Sequence, residues 1–171
     1  SCGPMAAGLL LAIPDESTLS GSQGDKELTL TFQKSYRHKP SCAPEPFSIS
    51  TPFRPDFVLS LRQGSRSRLL IFDAKYRSSP FSIKEALRDM HVYRDAIRVS
   101  SARSAVDAAY ILVPAFGSGM GRFFESAYRE EYGFGGFRLT PGGDHDQPLI
   151  NLLKTVVERH ASPEQPDWGM A

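Results

Sequence analysis

The sequence predicts an α/β domain in which a central mixed β-sheet is flanked by helices. Two uninterrupted apolar runs, at residues 69–72 and 110–113, are typical of strands that are covered on both faces. An amphipathic helical pattern separates these runs, and shorter strand-like runs precede the first of them. The chain has 171 residues, of which 40% are hydrophobic, and this suits one domain with its own buried core.

The first elements are predicted from alternation and from turn-forming residues. Residues 1–25 are expected to form a flexible N-terminal segment, of which positions 1–4 resemble a cloning remnant. Positions 15–26 have no periodicity, which predicts a mobile loop. Residues 28–32 alternate apolar and polar side chains, which predicts a half-buried strand. Residues 40–52 are rich in proline and serine and are expected to form a loop or an irregular hairpin. Further strands are predicted at residues 57–61, 68–73, 108–114 and 136–139, with a turn at residues 63–65.

A helix is predicted between the two apolar runs. Ser82 is placed to cap its N-terminus, and Glu85 three residues later completes a capping box. An apolar stripe at helical spacing is expected to face the core: Ile83, Ala86, Leu87, Met90, Tyr93 and Ile97. Further helices are predicted at residues 122–132 and 149–160, so that the folded domain spans residues 26–160 and residues 161–171 form a tail.

Charge is distributed unevenly along the chain, although the net charge is only +1. Residues 54–103 contain eleven Lys or Arg against five Asp or Glu. On charge alone, this excess fits a polyanion-binding surface and a solvated, arginine-rich helix face equally well.

Several sequence features favour a cytoplasmic protein without membrane association. Cys2 and Cys42 are too few for a disulfide framework, and free thiols fit a reducing compartment. The apolar run at residues 9–13 is too short to cross a bilayer and lacks the preceding basic residues of a secretory signal.

Motifs of other enzyme classes are missing from the sequence. It contains no Gly-x-Ser-x-Gly, Cys-x-x-Cys or His-Glu-x-x-His string, so serine hydrolases and zinc enzymes have no support. Residues 117–121 are rich in glycine, but their spacing departs from the dinucleotide-binding fingerprint and favours a loop.

The most informative residues lie at the ends of two predicted neighbouring strands. Asp56 opens one strand, and Asp73 closes the next. If the strands form a hairpin, the two carboxylates approach each other at one edge of the sheet, where they repel unless a cation lies between them. Oxygen ligands in small number suit Mg²⁺, and Lys75 points to the same face as Asp73. The alternative is a structural salt-bridge cluster at the end of a strand.

These residues resemble the signature of the PD-(D/E)XK nuclease superfamily. Pro55-Asp56 is followed by Asp73-Ala74-Lys75, and the runs at residues 73–77 and 90–96 are similar to a branch found in McrBC-like restriction systems. The resemblance implies a restriction-endonuclease-like core. It also implies that Asp56, Asp73 and the backbone carbonyl of Ala74 hold a metal ion, while Lys75 assists the attacking water.

The resemblance implies further site residues. Glu27 is the nearest candidate for an upstream acid that completes the cluster, and Tyr93 matches the tyrosine of a Gln-x-x-x-Tyr element in which Asp89 replaces the glutamine. Basic residues near the core motif are expected to hold the phosphates of DNA: Arg77, Lys84, Arg88, Arg94 and Arg98.

The implied function is hydrolysis of DNA phosphodiester bonds by an endonuclease that uses Mg²⁺, for which Mn²⁺ can substitute. The resemblance further implies a role in restriction and antiviral defence, with a nucleotide-dependent motor or a specificity subunit as partner. The alternative is a catalytically inactive nucleic-acid-binding domain on the same scaffold.

Overall fold

The computed structural model describes residues 13–38, 45–64, 66–76, 78–100, 102–140 and 145–159. The strands are β1 (Thr18–Gln23), β2 (Lys26–Phe32), β3 (Phe47–Ser48), β4 (Phe57–Gln63), β5 (Arg66–Ala74), β6 (Ile97–Arg98), β7 (Val106–Val113) and β8 (Phe134–Arg138). The helices are α1 (Pro80–Ala96), a short 3₁₀ helix (Gly121–Phe124), α2 (Ser126–Tyr132) and α3 (Gln147–Arg159).

Six strands form one mixed sheet in the order β1-β2-β4-β5-β7-β8. The first four pair antiparallel, and the chain turns between β4 and β5 at Gly64, whose φ of 55° favours glycine. β5 pairs parallel with β7, and β7 pairs parallel with β8. Parallel neighbours need a crossover, which α1 provides for the first pair and the 3₁₀ helix with α2 for the second. The predicted mixed α/β fold is confirmed.

Helices cover both faces of the central strands. In β5, Leu69 and Ile71 pack in the cluster that includes Ile83 and Met90 of α1, whereas Leu70 and Phe72 pack in the cluster that adjoins α3. This alternation explains why the sequence of β5 is continuously apolar, since both of its faces are buried. Among the described residues, no helix is long and apolar enough to cross a membrane.

The prediction of a loop at residues 15–26 is wrong, because residues 18–23 form β1. All six residues of β1 are exposed, so the strand shows no apolar alternation that a sequence pattern could reveal. Its backbone hydrogen bonds to β2 hold it at the edge of the sheet. The proposed division into segment, domain and tail stays a prediction, since residues 1–12 and 160–171 lie outside the described residues.

The predicted capping box of α1 is also wrong. The helix begins at Pro80, and its N-cap is Ser79, whose hydroxyl accepts a hydrogen bond from the amide of Ser82. Proline is well suited to the first helical position because it has no amide hydrogen that needs a partner there. The helix ends at Ala96, so Arg98 lies in β6, which pairs with β3.

The last part of the sheet depends on close packing at a glycine. Gly135 in β8 has a φ of 133°, and a Cβ atom there would overlap the carbonyl oxygen of Phe123. The single helix predicted at residues 122–132 is in fact two helices, because the 3₁₀ helix ends at Phe124 and α2 starts at Ser126.

We expect Gly135→Ala to lower the free energy of unfolding by about 3 kcal/mol, because the new methyl group meets rigid backbone and the positive φ strains any side chain. Urea denaturation followed by circular dichroism measures this loss. Gly21→Ala is the matched control, since a Cβ at Gly21 meets nothing within 4 Å. Equal stability of the two variants would contradict the packing described for β8.

Candidate active site

The pairing of β4 with β5 brings Asp56 and Asp73 together. Phe57 is paired with Phe72 in the register. Asp56 and Asp73 are the next residues beyond this pair, so they lie opposite each other at the ends of the two strands. Oδ2 of Asp56 accepts a hydrogen bond of 2.8 Å from the amide of Ala74, which joins the two strand ends. The hairpin that the sequence predicts therefore exists, and the two carboxylates lie on its α1 face.

Asp73 is a buried carboxylate, with only 4% of the residue exposed. The ammonium group of Lys75 forms an ion pair with its Oδ2, and no other group among the described residues donates to this oxygen. Burial raises the pKa of Asp73, the attraction of Lys75 offsets part of that effect, and the charge of Asp56 raises the pKa further. The site therefore contains negative charge that the protein itself compensates only in part.

Lys75 extends from the end of β5 into the space between the sheet and α1. Its backbone amide donates to the carbonyl of Leu112 at 2.8 Å, which fixes the chain where β5 ends. Its Nζ lies between two acids, the Asp73 carboxylate and Oδ2 of Asp89, the latter at 3.9 Å. The side chain is 30% exposed, so its ammonium group remains accessible from solvent.

Helix α1 contributes Asp89 and Tyr93 to the same cluster. Tyr93 is half-buried, and its ring contacts Phe53 edge to face with centroids 5.5 Å apart. Burial raises the pKa of the Tyr93 hydroxyl, and the charges of Asp73, Asp89 and Asp56 raise it further. The hydroxyl is consequently a neutral hydrogen-bond donor at any physiological pH.

The sequence prediction underrated Asp89, which it treated only as a departure from a family motif. The structure places this carboxylate beside Lys75. A signal existed in the sequence, because Glu85, Asp89 and Tyr93 are spaced by four residues and so share one helix face.

An open groove of about 400 Å³ connects the site to solvent. One wall is the end of β5 and the residue after Lys75, and the other wall is the first half of α1. The lining residues are Ala74, Lys75, Tyr76, Ser82, Glu85, Ala86, Arg88 and Asp89.

Glu27 is not part of this cluster, and its prediction as an upstream acid is corrected here. In the register, Glu27 pairs with Arg62, whereas Phe32 at the other end of β2 pairs with Phe57 next to Asp56. Glu27 and Phe32 are five residues apart along β2, which corresponds to roughly 17 Å between Glu27 and the end of the strand that adjoins the site. Its exposed side chain cannot reach the carboxylates.

The predicted phosphate-binding residues are in different environments. Lys84 and Arg88 are exposed on α1, and Arg88 also lines the groove. Arg94 donates to the carbonyl of Tyr132 at 3.0 Å, and Arg98 forms an ion pair with Asp95 while only 19% of its side chain is exposed. Internal contacts thus occupy Arg94 and Arg98. Arg77 lies outside the described residues.

The donor set fits a divalent cation that retains much of its water. Within the described part of the chain, no group of three or more His, Cys, Asp or Glu side chains converges on one point. The site instead offers two carboxylates, of which the buried one has Lys75 as its sole side-chain partner among the described residues. Mg²⁺ is typically bound by one or two carboxylates, with waters and substrate phosphate completing its shell.

We expect Asp73→Asn to increase the free energy of unfolding of the metal-free protein at neutral pH. The raised pKa means that ionised Asp73 is less favourable in the folded than in the unfolded chain. The gain should develop as the pH rises from about 4, the ordinary value of an aspartate, through the raised pKa, and should vanish below that range.

Urea denaturation at several pH values measures this gain. Asp107→Asn is the control, because Asp107 is an exposed carboxylate paired with Arg68 and should yield no gain. A less stable Asp73→Asn variant at neutral pH would mean that the ion pair with Lys75 outweighs the cost of burial.

Comparison with known proteins places this geometry in a family. A family model described as the PD-(D/E)XK nuclease superfamily matches residues 8–118, more than half of the chain, and this range includes β1 to β7 and every site residue discussed above. Neither the curated proteins nor the solved structures contain a significant match. The matched range contains Asp56, Asp73 and Lys75 at the expected strand ends, and the chain belongs to the PD-(D/E)XK nuclease superfamily.

Proposed function

We propose that this domain is a metal-dependent endonuclease that hydrolyses phosphodiester bonds in DNA. The observation that carries the proposal is the convergence of Asp56, Asp73 and Lys75 at one end of the β4–β5 hairpin, inside the range matched by the nuclease family. Nucleases of this superfamily act on nucleic acid, and an open groove lined by Lys75 and Asp89 supplies access for a strand.

In this proposal, Asp56, Asp73 and the backbone carbonyl of Ala74 hold Mg²⁺ or Mn²⁺. When bound, the ion would stabilise negative charge on the phosphate and lower the pKa of a coordinated water. The buried, partly compensated carboxylate of Asp73 supports this assignment, since a bound cation would balance its charge.

Lys75 and Tyr93 supply hydrogen-bond donors on the same face. A water attacks phosphorus in line and loses a proton to solvent, while the bond from phosphorus to the leaving oxygen breaks and that oxygen takes up a proton from solvent. Lys75 remains charged and donates to the attacking water or to a phosphate oxygen, which favours the charge that develops in the transition state. The neutral hydroxyl of Tyr93 lies within the electrostatic influence of the three acids and supplies a second donor beside them.

A catalytically inactive nucleic-acid-binding domain is the second candidate. It is favoured by the lack, among the described residues, of three acids placed to share one metal ion, and by the ion pairs that engage Lys75 with Asp73 and Asp89. Activity and binding therefore need separate tests.

The biological setting that we propose is restriction of foreign DNA in the cytoplasm, together with a nucleotide-dependent motor or a specificity subunit. It is supported by the resemblance of residues 73–77 and 90–96 to nucleases of McrBC-like systems. The choice of DNA over RNA belongs to the same proposal.

We expect the wild-type protein to cut plasmid DNA in the presence of Mg²⁺ or Mn²⁺. Asp73→Ala and Lys75→Ala should each reduce the rate by at least about 100-fold, because each removes a group that acts on the developing charge. Asp107→Asn and Lys154→Ala are matched controls of the same charge types, since both residues are exposed and far from the cluster.

Calorimetry with Mn²⁺ separates the two candidate functions. An active enzyme should bind the ion at a site that Asp73→Ala abolishes. If the wild type neither cuts DNA nor binds Mn²⁺ when DNA is present, the catalytic proposal is wrong and the binding-domain alternative remains.

We expect charge reversal at Lys84 and Arg88 to weaken DNA binding and flatten its salt dependence. Each lost phosphate contact should reduce the slope of log K against log salt by about 0.9. Both residues are exposed on α1, and no salt bridge engages them among the described residues.

Fluorescence anisotropy over a range of salt concentrations measures this slope. Lys154→Glu on α3 is the matched control for each single reversal, Lys84→Glu or Arg88→Glu, because it makes the same charge change on the other side of the sheet. An unchanged slope in the Lys84→Glu, Arg88→Glu double variant would place the phosphate contacts elsewhere on the protein.

A further inference from the structure

We infer that Tyr76 and Phe81 form a stacking surface for unpaired bases, so that the domain engages a single-stranded stretch of its substrate in preference to intact duplex. The inference rests on the proposed function, because it specifies which form of nucleic acid the same site accepts. It depends on the position, exposure and charge environment of these two aromatic residues.

The two rings are unusually exposed for aromatic side chains. Tyr76 is 95% exposed and Phe81 is 72% exposed, whereas most aromatic residues among the described ranges are buried or half-buried. A ring in water forgoes the stabilisation that burial of its apolar area would supply. Neither ring therefore contributes to the packing of the hydrophobic core.

Both rings lie beside the candidate active site. Tyr76 directly follows Lys75 and lines the groove. Phe81 is in the first turn of α1, next to Ser82 and one turn before Glu85, which line the opposite wall. A strand whose phosphate reached Lys75 would thus bring its bases close to aromatic surface.

Positive charge accompanies the rings on α1. Lys84 and Arg88 follow Phe81 by three and seven residues, so the three side chains share one helix face. That face is turned away from Ile83, Leu87 and Met90, which are buried in the core. Cationic side chains that track phosphates, interleaved with aromatic rings, are the combination by which proteins bind single strands.

The stacking chemistry selects for unpaired bases. In a duplex, neighbouring base pairs cover both faces of each base, and only phosphates and groove edges remain available. Unpaired bases expose their π-faces, and aromatic side chains bind them with little dependence on sequence. Duplex DNA could use Lys84 and Arg88 but would leave Tyr76 and Phe81 without partners.

Fluorescence anisotropy with a labelled strand of about 20 nucleotides and the matching blunt duplex tests the inference, in buffer with EDTA to prevent cleavage. The wild type should bind the single strand more tightly. Tyr76→Ala and Phe81→Ala should each weaken single-strand binding about tenfold and duplex binding less than about twofold. Tyr76→Phe and Phe81→Trp keep a ring and should retain the affinity.

A second readout separates stacking from charge. Tyr76→Ala should leave the salt slope unchanged, because no ionic contact is lost, while Arg88→Ala should reduce it. The exposed position of Tyr76 makes misfolding an inadequate explanation for a loss, and the Tyr76→Phe variant checks this directly.

Equal affinity of wild type and Tyr76→Ala for the single strand would overturn the inference, and the exposed rings would then be available to a protein partner. Equal losses for single strand and duplex would also overturn it. Failure of the proposed nuclease function looks different, because a protein that prefers single strands through Tyr76 but never cuts DNA retains the stacking surface without catalysis.

Discussion

The antiparallel pairing of β4 with β5 is the constraint on which the rest of the site depends. It sets Phe57 opposite Phe72 and so brings Asp56 to Asp73, and the hydrogen bond from the amide of Ala74 to Asp56 continues the contact past the end of the ladder. A slip of one residue would turn Asp73 to the opposite face of the sheet. The alternation that sends Ile71 into the core beneath α1 also aims Asp73 at the site, so core packing and site geometry have one cause.

Helix α1 serves three purposes because its faces differ. One face buries Ile83 and Met90 against the sheet, a second places Asp89 beside Lys75 and Tyr93 near the acids, and a third is exposed and basic. The helix is also the crossover that makes β5 and β7 parallel neighbours. The sheet therefore fixes the position of the helix, and this position alone brings Asp89 and Tyr93 close to the carboxylates at the strand ends.

The electrostatics of Asp73 oppose the stability of the metal-free fold. A carboxylate that is only 4% exposed is unfavourable unless a cation compensates its charge. Lys75 compensates it in part, and its second acidic neighbour, Asp89, shares that positive charge. Such partial compensation is typical of functional sites, where the binding of a charged group neutralises the charge that the folded protein leaves uncompensated.

Sequence patterns were sufficient to predict the strands of the central hairpin, the core stripe of α1 and the approach of Asp56, Asp73 and Lys75, because these features depend on local alternation and on one short turn. These patterns did not reveal β1, which consists of exposed residues and is held mainly by its backbone pairing with β2. The sequence prediction was also wrong in placing Glu27 in the acidic cluster, because the strand register sets it opposite Arg62. It assigned Arg98 to phosphate binding, whereas Arg98 forms an ion pair with Asp95. The ion pair of Asp89 with Lys75 arises from the packing of α1 on the sheet, which brings together two residues that no local pattern relates, and so it could be found only in the three-dimensional fold.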